Sequence, residues 1–200
     1  MTGRRSGRPD LRQAPGLRPR FHLWCILLAT ALILGGCGGS GSKVYTSVEG
    51  RFSVEQPRST EVLELPATAV GSWAGSIDLH SVVFNRKDEA EFGVLYADLG
   101  QDTIEQNGPE QVFDQQRDQD VWNSHYTLLT EESISLHGHP GRQLNLNVTG
   151  TDAGQGLDLA TFRYYLVGQR LYIVICADQE DEAAGAEMDQ FLDSFQVQEK

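Results

Sequence analysis

An uncharged apolar run, Leu23–Leu34, that ends in Gly35-Gly36-Cys37 divides this chain in two and sets the terms on which the rest can fold. Ahead of it, residues 1–20 hold Arg4, Arg5, Arg8, Arg12, Arg18 and Arg20 against one acid, Asp10, so the start reads as the positive and apolar regions of an export signal. The run is twelve residues long. A helix needs about 20 to cross a bilayer, so a removable signal is the better reading than a permanent span. Cleavage before Cys37 leaves three parts: a signal peptide over residues 1–36, Cys37 with a flexible tether over residues 37–43, and a domain over residues 44–200.

Leu34-Gly35-Gly36-Cys37 resembles the cleavage box of bacterial lipoprotein signals, with Leu34 third before the cysteine and small residues entering the peptidase cleft. The resemblance implies that Cys37 is the lipid-attachment residue. In such proteins the thiol takes a diacylglyceryl group and the freed amine is often acylated as well, for instance with palmitate. Each buried methylene contributes about 0.8 kcal/mol, and two or more chains give stable anchoring. An ordinary secretory signal with an incidental cysteine is the competing reading, and it leaves the Gly38-Gly39-Ser40-Gly41-Ser42 tether unexplained. The expected location is therefore the cell membrane or outer membrane, lipid-anchored and facing away from the cytoplasm.

Removing residues 1–36 leaves 164 residues, enough for one domain with a real core. Cys25 departs with the signal and Cys37 is the lipid site, so Cys176 stands alone and no disulfide can hold the domain together. Of 16 basic and 28 acidic residues the signal takes six and one, which leaves ten and 27, a net charge of about −17. That balance excludes nucleic acid and bare anionic lipid surfaces as partners.

Most of the domain reads as strands. Val44, Thr46 and Val48, a turn at Glu49-Gly50, then Phe52 and Val54 predict a first hairpin. A short strand is expected over Thr60–Leu65 before Pro66, another over Ser76–Asn85 covered on both faces, and an antiparallel partner with Phe92, Val94 and Tyr96 after a turn at Asn85–Glu89. Gly108-Pro109-Glu110 predicts a helix entry, followed by an apolar stripe of Val112, Phe113, Val121 and Trp122. Strand character returns over Tyr126–Leu136. Gly138-His139-Pro140-Gly141 is expected to turn the chain, with Gly141 at positive φ. Leu144, Leu146 and Val148 then alternate with Gln143, Asn145 and Asn147, giving one apolar face and one wet face. Past a loop at Gly150–Gly156, Ala160–Val167 and Arg170–Cys176 flank Gly168-Gln169, a tight-hairpin signal. Ala184, Met188, Phe191, Leu192 and Phe195 share one helical face, with Asp178, Glu180, Asp181 and Glu182 at the helix start. The fold class predicted is α+β, a central antiparallel sheet flanked by helices.

Gly138-His139-Pro140-Gly141-Arg142, Arg163-Tyr164-Tyr165-Leu166-Val167, Arg170-Leu171-Tyr172 and Phe191-Leu192-Asp193-Ser194-Phe195 together resemble the PsbP-like family. The resemblance implies an antiparallel sheet between helices over about Val44–Val197. These are turn and core residues, so they mark a fold and not a site. The family's photosynthetic member is an extrinsic photosystem II subunit, and a related fold binds a small GTPase. Neither role transfers residue by residue, and the lipid cysteine and tether here replace the N-terminal docking extension of the photosynthetic member.

Few residues invite chemistry. His137 and His139 have the spacing of two metal ligands on an extended chain, but the flanking Gly138 and Pro140 make the segment a turn, so no metal site is assigned. Cys176 lies in Tyr172-Ile173-Val174-Ile175-Cys176, where a lone cysteine behaves as a small buried hydrophobe. Asp114, Asp118 and Asp120 lack the glycine and terminal glutamate of a calcium loop and read as a solvated helix face. No serine-hydrolase, zinc-protease, phosphate-loop or dinucleotide signature occurs in the mature sequence. Catalytic residues, cofactors and enzymatic activity are therefore not expected, although His80, His125 and carboxylates could still meet in a cleft. The function expected is a lipid-anchored, non-catalytic interaction domain of the bacterial envelope with an envelope protein as partner; the alternative is a ligand-binding or hydrolytic domain with its pocket between sheet and helix.

Overall fold

Apolar residues at every second position build this domain from strands, and where both parities are apolar the strand lies in the middle. The computed structural model describes residues 43–86, 90–148, 157–178 and 182–198, which fall within one compact unit, Ser40–Lys200. The signal peptide, Cys37, the tether residues before Lys43, the Gly150–Gly156 loop, Glu180 and Asp181 lie outside the described residues.

The elements are β1 (Lys43–Ser47), β2 (Phe52–Gln56), β3 (Glu61–Ser72), β4 (Gly75–Asn85), β5 (Ala90–Asp98), α1 (Gln101–Ser124), β6 (Thr127–Leu136), β7 (His139–Asn147), β8 (Leu159–Val167), β9 (Arg170–Asp178), α2 (Glu182–Ser194) and β10 (Gln196–Val197). Seven strands form one antiparallel sheet in the order β3-β4-β5-β9-β8-β7-β6. β9 is its centre and sends side chains into two cores. Tyr172, Val174 and Cys176 face one side, where they meet Phe52 and Val54 of β2 and Phe191 and Leu192 of α2. Leu171, Ile173 and Ala177 face the other, where Val112 and Phe113 of α1 join Leu144, Leu146, Phe162 and Tyr164.

Aromatic rings fix how α2 sits. Phe191 meets Phe84 and Phe92 edge-on at 5.4 and 5.3 Å, and Phe195, just past the helix, stacks on Tyr165 at 5.7 Å. Each such pair contributes about 0.5–1.5 kcal/mol beyond the area it buries. The predicted apolar face of this helix is thus the face that docks. After Phe195 the chain adds β10 to β2, completing a small three-stranded sheet, β1-β2-β10, that the sequence reading did not foresee.

Several expectations are corrected by the pairing. In the first hairpin Val44 and Val48 point to solvent, while Tyr45 and Ser47 face inward, because the register sets Tyr45 opposite Val54 and Ser47 opposite Phe52. Residues directly opposite in an antiparallel pair share a face. β3 does not stop at Leu65: it runs through Pro66 to Ser72, with its register shifting between Leu65 and Thr68. Proline is tolerated there because β3 is an edge strand and the irregularity takes up the missing donor. In β4 full burial is confined to Val82 and Phe84 on the α2 side, while Ile77, partly buried, packs against the core on the other side, so both faces are covered as expected but not along the whole strand.

Helix α1 starts seven residues before the predicted entry and kinks at Gly108, where φ is 69° and ψ 168°; Pro109 then opens the second segment, as the Gly-Pro-Glu signal predicted. The β6–β7 turn is His137-Gly138, at φ of 51° and 86°, not the four residues from Gly138. Two positive φ values in a two-residue loop are those of the type I′ hairpin. Gly141 has no positive φ; it sits in β7 for a different reason. A Cβ there would meet the Tyr164 carbonyl oxygen and the Tyr165 ring at 2.6 Å, so the position is glycine because the neighbouring strand is close. The β8–β9 hairpin follows prediction, with Gly168 at φ 61°. Asp178 belongs to the end of β9 and is buried, not part of a helix start.

Candidate functional site: the groove between the long helix and the edge strand

Beyond its kink, α1 crosses the sheet above β7 and β8, and its carboxylates converge on Arg142 of β7. The guanidinium lies over the Phe113 ring at 5.6 Å and donates to Glu110 at 2.5 Å, to Glu131 of β6 at 2.7 Å, and to Asp114. Arg117, farther along α1, joins Asp114, Asp118 and Glu131 at 3.3, 2.8 and 3.0 Å. The Arg142 guanidinium holds the Asp114 carboxyl below its ordinary value. The arrangement pins helix to sheet edge, and it leaves four carboxylates around two guanidiniums.

Deeper under α1 lies a second polar cluster. Tyr164 of β8 donates its hydroxyl to Asp120 Oδ2 at 2.7 Å, and Gln116 donates to Oδ1 at 3.0 Å. The other end of Gln116 accepts from the Trp73 indole at 3.2 Å, and Gln119 accepts from the Trp73 backbone N–H at 3.2 Å. The tip of the β3–β4 hairpin is thereby tied to the helix. Burial pushes the Asp120 carboxyl up to about 6, against the opposing effect of its two hydrogen-bond donors. Burial first, and then the Asp120 carboxylate beside it, push the Tyr164 phenol up as well. Asp120 is therefore not part of a solvated face, whereas Asp114 and Asp118 are exposed but paired.

Where α1 ends, His125 takes a left-handed conformation at φ 58° and its N–H bonds to the Val121 carbonyl, turning the chain into β6. A groove of about 750 Å³ opens at that corner, lined by Arg117, Asp118, Val121, His125, Tyr126 and Leu128. Leu128 and Leu129 beside it are 36% and 50% exposed, large values for leucine in a sheet. β6 is the outermost strand here, and almost its whole length is exposed. A second, polar cleft of about 640 Å³ lies toward the opposite edge of the sheet, between the β2–β3 turn, the end of β4 and α2. The Glu187 carboxylate spans it, accepting the Arg58 N–H at 2.8 Å and Arg86 Nη2 at 2.7 Å.

The remaining residues singled out from the sequence are scattered. His137 occupies the left-handed turn position and His139 the first ladder position of β7, opposite Leu136, so they do not follow one another along an extended chain. His80 stacks on Tyr96 at 4.7 Å on the α2 side, while His125 lines the groove on the α1 side, so the two do not share a cleft. Cys176 is buried, its sulfur 3.9 Å from the Met188 carbonyl under α2, and burial pushes the thiol well up. Sequence reading missed the Arg142 cluster and the Tyr164–Asp120 pair. Arg142 stands 32, 28 and 11 residues from Glu110, Asp114 and Glu131, and Tyr164 stands 44 from Asp120; the packing of α1 on the sheet brings them together.

No protein-family model matches this sequence, and no curated protein matches it. Among solved structures, the solution structure of cyanobacterial PsbP (CyanoP) from Synechocystis sp. PCC 6803 superposes with a TM-score of 0.57 at 18% identity, covering 82% of this chain and 98% of that one.

Proposed function

We propose that this chain, whose domain has the PsbP-like fold, is a lipid-anchored, non-catalytic interaction module of the bacterial cell envelope, joined to its membrane through Cys37. One observation carries the interaction part. The charged side chains of the long helix converge on Arg142 and Arg117 as a structural clamp, and beside that clamp the domain leaves an open groove and an exposed edge strand. Geometry of this kind suits the docking of another chain. The anchor rests on the cleavage box and Gly/Ser tether around Cys37.

A ligand-binding or hydrolytic pocket is the second reading, favoured by the groove and by a carboxyl whose affinity for protons is raised to about 6. Against it, both Asp120 oxygens already accept hydrogen bonds from Tyr164 and Gln116. Two measurements test the proposal. Fatty-acid labelling is expected in the wild type and absent in Cys37→Ser; equal labelling of both removes the anchor. Affinity capture from detergent extracts with Cys37 intact is expected to return an envelope protein, and repeated capture of none removes the interaction module.

A further inference from the structure

The large sheet has two edges, and they differ. β3 carries Pro66 and a register shift in its middle, the features that blunt an edge against further pairing. β6 has a shift only between Leu128 and Thr130, and from Thr130 to Leu136 it pairs with β7 without interruption or proline. Among the described residues nothing pairs with its outer side.

The direction of the free backbone groups follows from Pro140. It has no N–H and stands opposite Ser135, one step beyond the type I′ turn, while the β7–β8 ladder begins only at Gly141. Narrow and wide pairs alternate along an antiparallel ladder, and the pair that closes such a turn is hydrogen-bonded. Ser135–Pro140, Ser133–Arg142 and Glu131–Leu144 are therefore wide pairs. In β6 their N–H and C=O groups point away from β7, toward the open side.

An additional strand laid there would alternate between two surfaces. On the α1 side it would run past Ser133 and Glu131 toward Leu128 and the groove. On the α2 side it would meet Ile134 and Leu136, which pack against the core there, and Glu132. The charge around this edge is negative: four carboxylates share two guanidiniums, and Glu132 accepts only an amide hydrogen bond from Gln143 at 3.0 Å. Pairing with a second copy would set two such acidic edges together in bodies of net charge about −17.

We infer that β6 is a strand-addition site: it takes an extended segment of a partner protein, with apolar residues alternating with basic ones, as an eighth strand over Thr130–Leu136. The inference rests on the interaction-module reading and names the docking surface. Backbone hydrogen bonds from Glu131, Ser133 and Ser135 would hold the segment, and the groove and acidic rim would select its side chains.

The probe is a capped seven-residue peptide of alternating valine and lysine, added to the full chain in detergent at low salt. Binding is expected to slow hydrogen exchange in residues 127–136. Ser133→Pro removes an outward donor without taking a bond from β7, and is expected to weaken binding at least tenfold. The same peptide N-methylated at alternate residues leaves the protein unchanged and is expected not to bind, and a glutamate-for-lysine version to bind at least tenfold more weakly. Absence of binding by the parent peptide overturns the inference, as does binding indifferent to Ser133→Pro and to N-methylation. A wild-type dimer that Ser133→Pro converts to monomer overturns it too, because the edge then serves a second copy. An envelope partner captured equally by wild type and Ser133→Pro would leave the interaction module standing and sink only the edge.

Discussion

Asp120 shows how much one side chain's surroundings change its behaviour. Its carboxyl is raised from an ordinary value of 3.8 to about 6, so between those pH values the folded chain binds a proton that the unfolded chain has already released. The associated stability is present below about pH 4, is lost as pH rises through about 6, and is constant above that. The size is about 3 kcal/mol from a shift of this width. Paired carboxylates such as Asp98 and Asp114, which Arg170 and Arg142 hold below their ordinary values, act in the opposite direction at lower pH. Comparing wild type with Asp120→Asn isolates the one group. Urea unfolding at pH 4.5 and pH 7 is expected to show the wild type losing stability relative to the variant on the way up; a constant difference between them would show that Asp120 titrates normally.

At the scale of elements, α2 decides whether the core on its side is closed. Phe191 is nearly fully buried between Phe84 and Phe92, and the helix covers Cys176. Phe191→Ala is expected to cost about 3–5 kcal/mol, since a ring leaves a cavity that packed strands cannot close. Cys176 then reports on docking. In the wild type maleimide is expected to label it only in denaturant, and in Phe191→Ala to label it under native conditions. Rapid labelling of the native wild type would mean that α2 does not hold its place. The periodic spacing of Met188, Phe191, Leu192 and Phe195 made this helix and its buried face legible beforehand. α1 was less legible: its first segment, with Gln101, Glu105, Gln106 and Asn107, has little apolar patterning, and Ile104 packs it against the core.

For the whole molecule, the proposed removal of residues 1–36 would leave a net charge of about −17, and on a domain held at its membrane by the proposed anchor that charge predicts attraction to a basic partner that salt weakens. Screening shortens the reach of such attraction to about 8 Å at physiological ionic strength, so the association rate with a captured partner is expected to fall steeply between low and physiological salt. Neutralising Glu180, Asp181 and Glu182 together tests this acidic stretch of sequence, whose last residue opens α2, against the β6 edge, and the variant that removes the salt dependence marks the contact. A salt-indifferent partner would leave the charge with a solubilising role only. The alternation of Leu144, Leu146 and Val148, the doubly apolar β9 and the glycine-led hairpin at Gly168 were readable by eye, because side-chain period is a local property of an extended chain. The anchor proposed at Cys37 likewise rests on a contiguous stretch of sequence alone. What the tertiary structure alone decided is everything that depends on who lies beside whom. It turned Tyr45 inward in place of Val44, made glycine necessary at Gly141 through the neighbouring Tyr164 and Tyr165, joined Arg142 to Glu110 and Asp114 and Tyr164 to Asp120, and left β3, with its register shift at Pro66, and β6 as the two edges of the large sheet. Register and strand order arise from pairings between distant parts of the chain, and no local pattern encodes them.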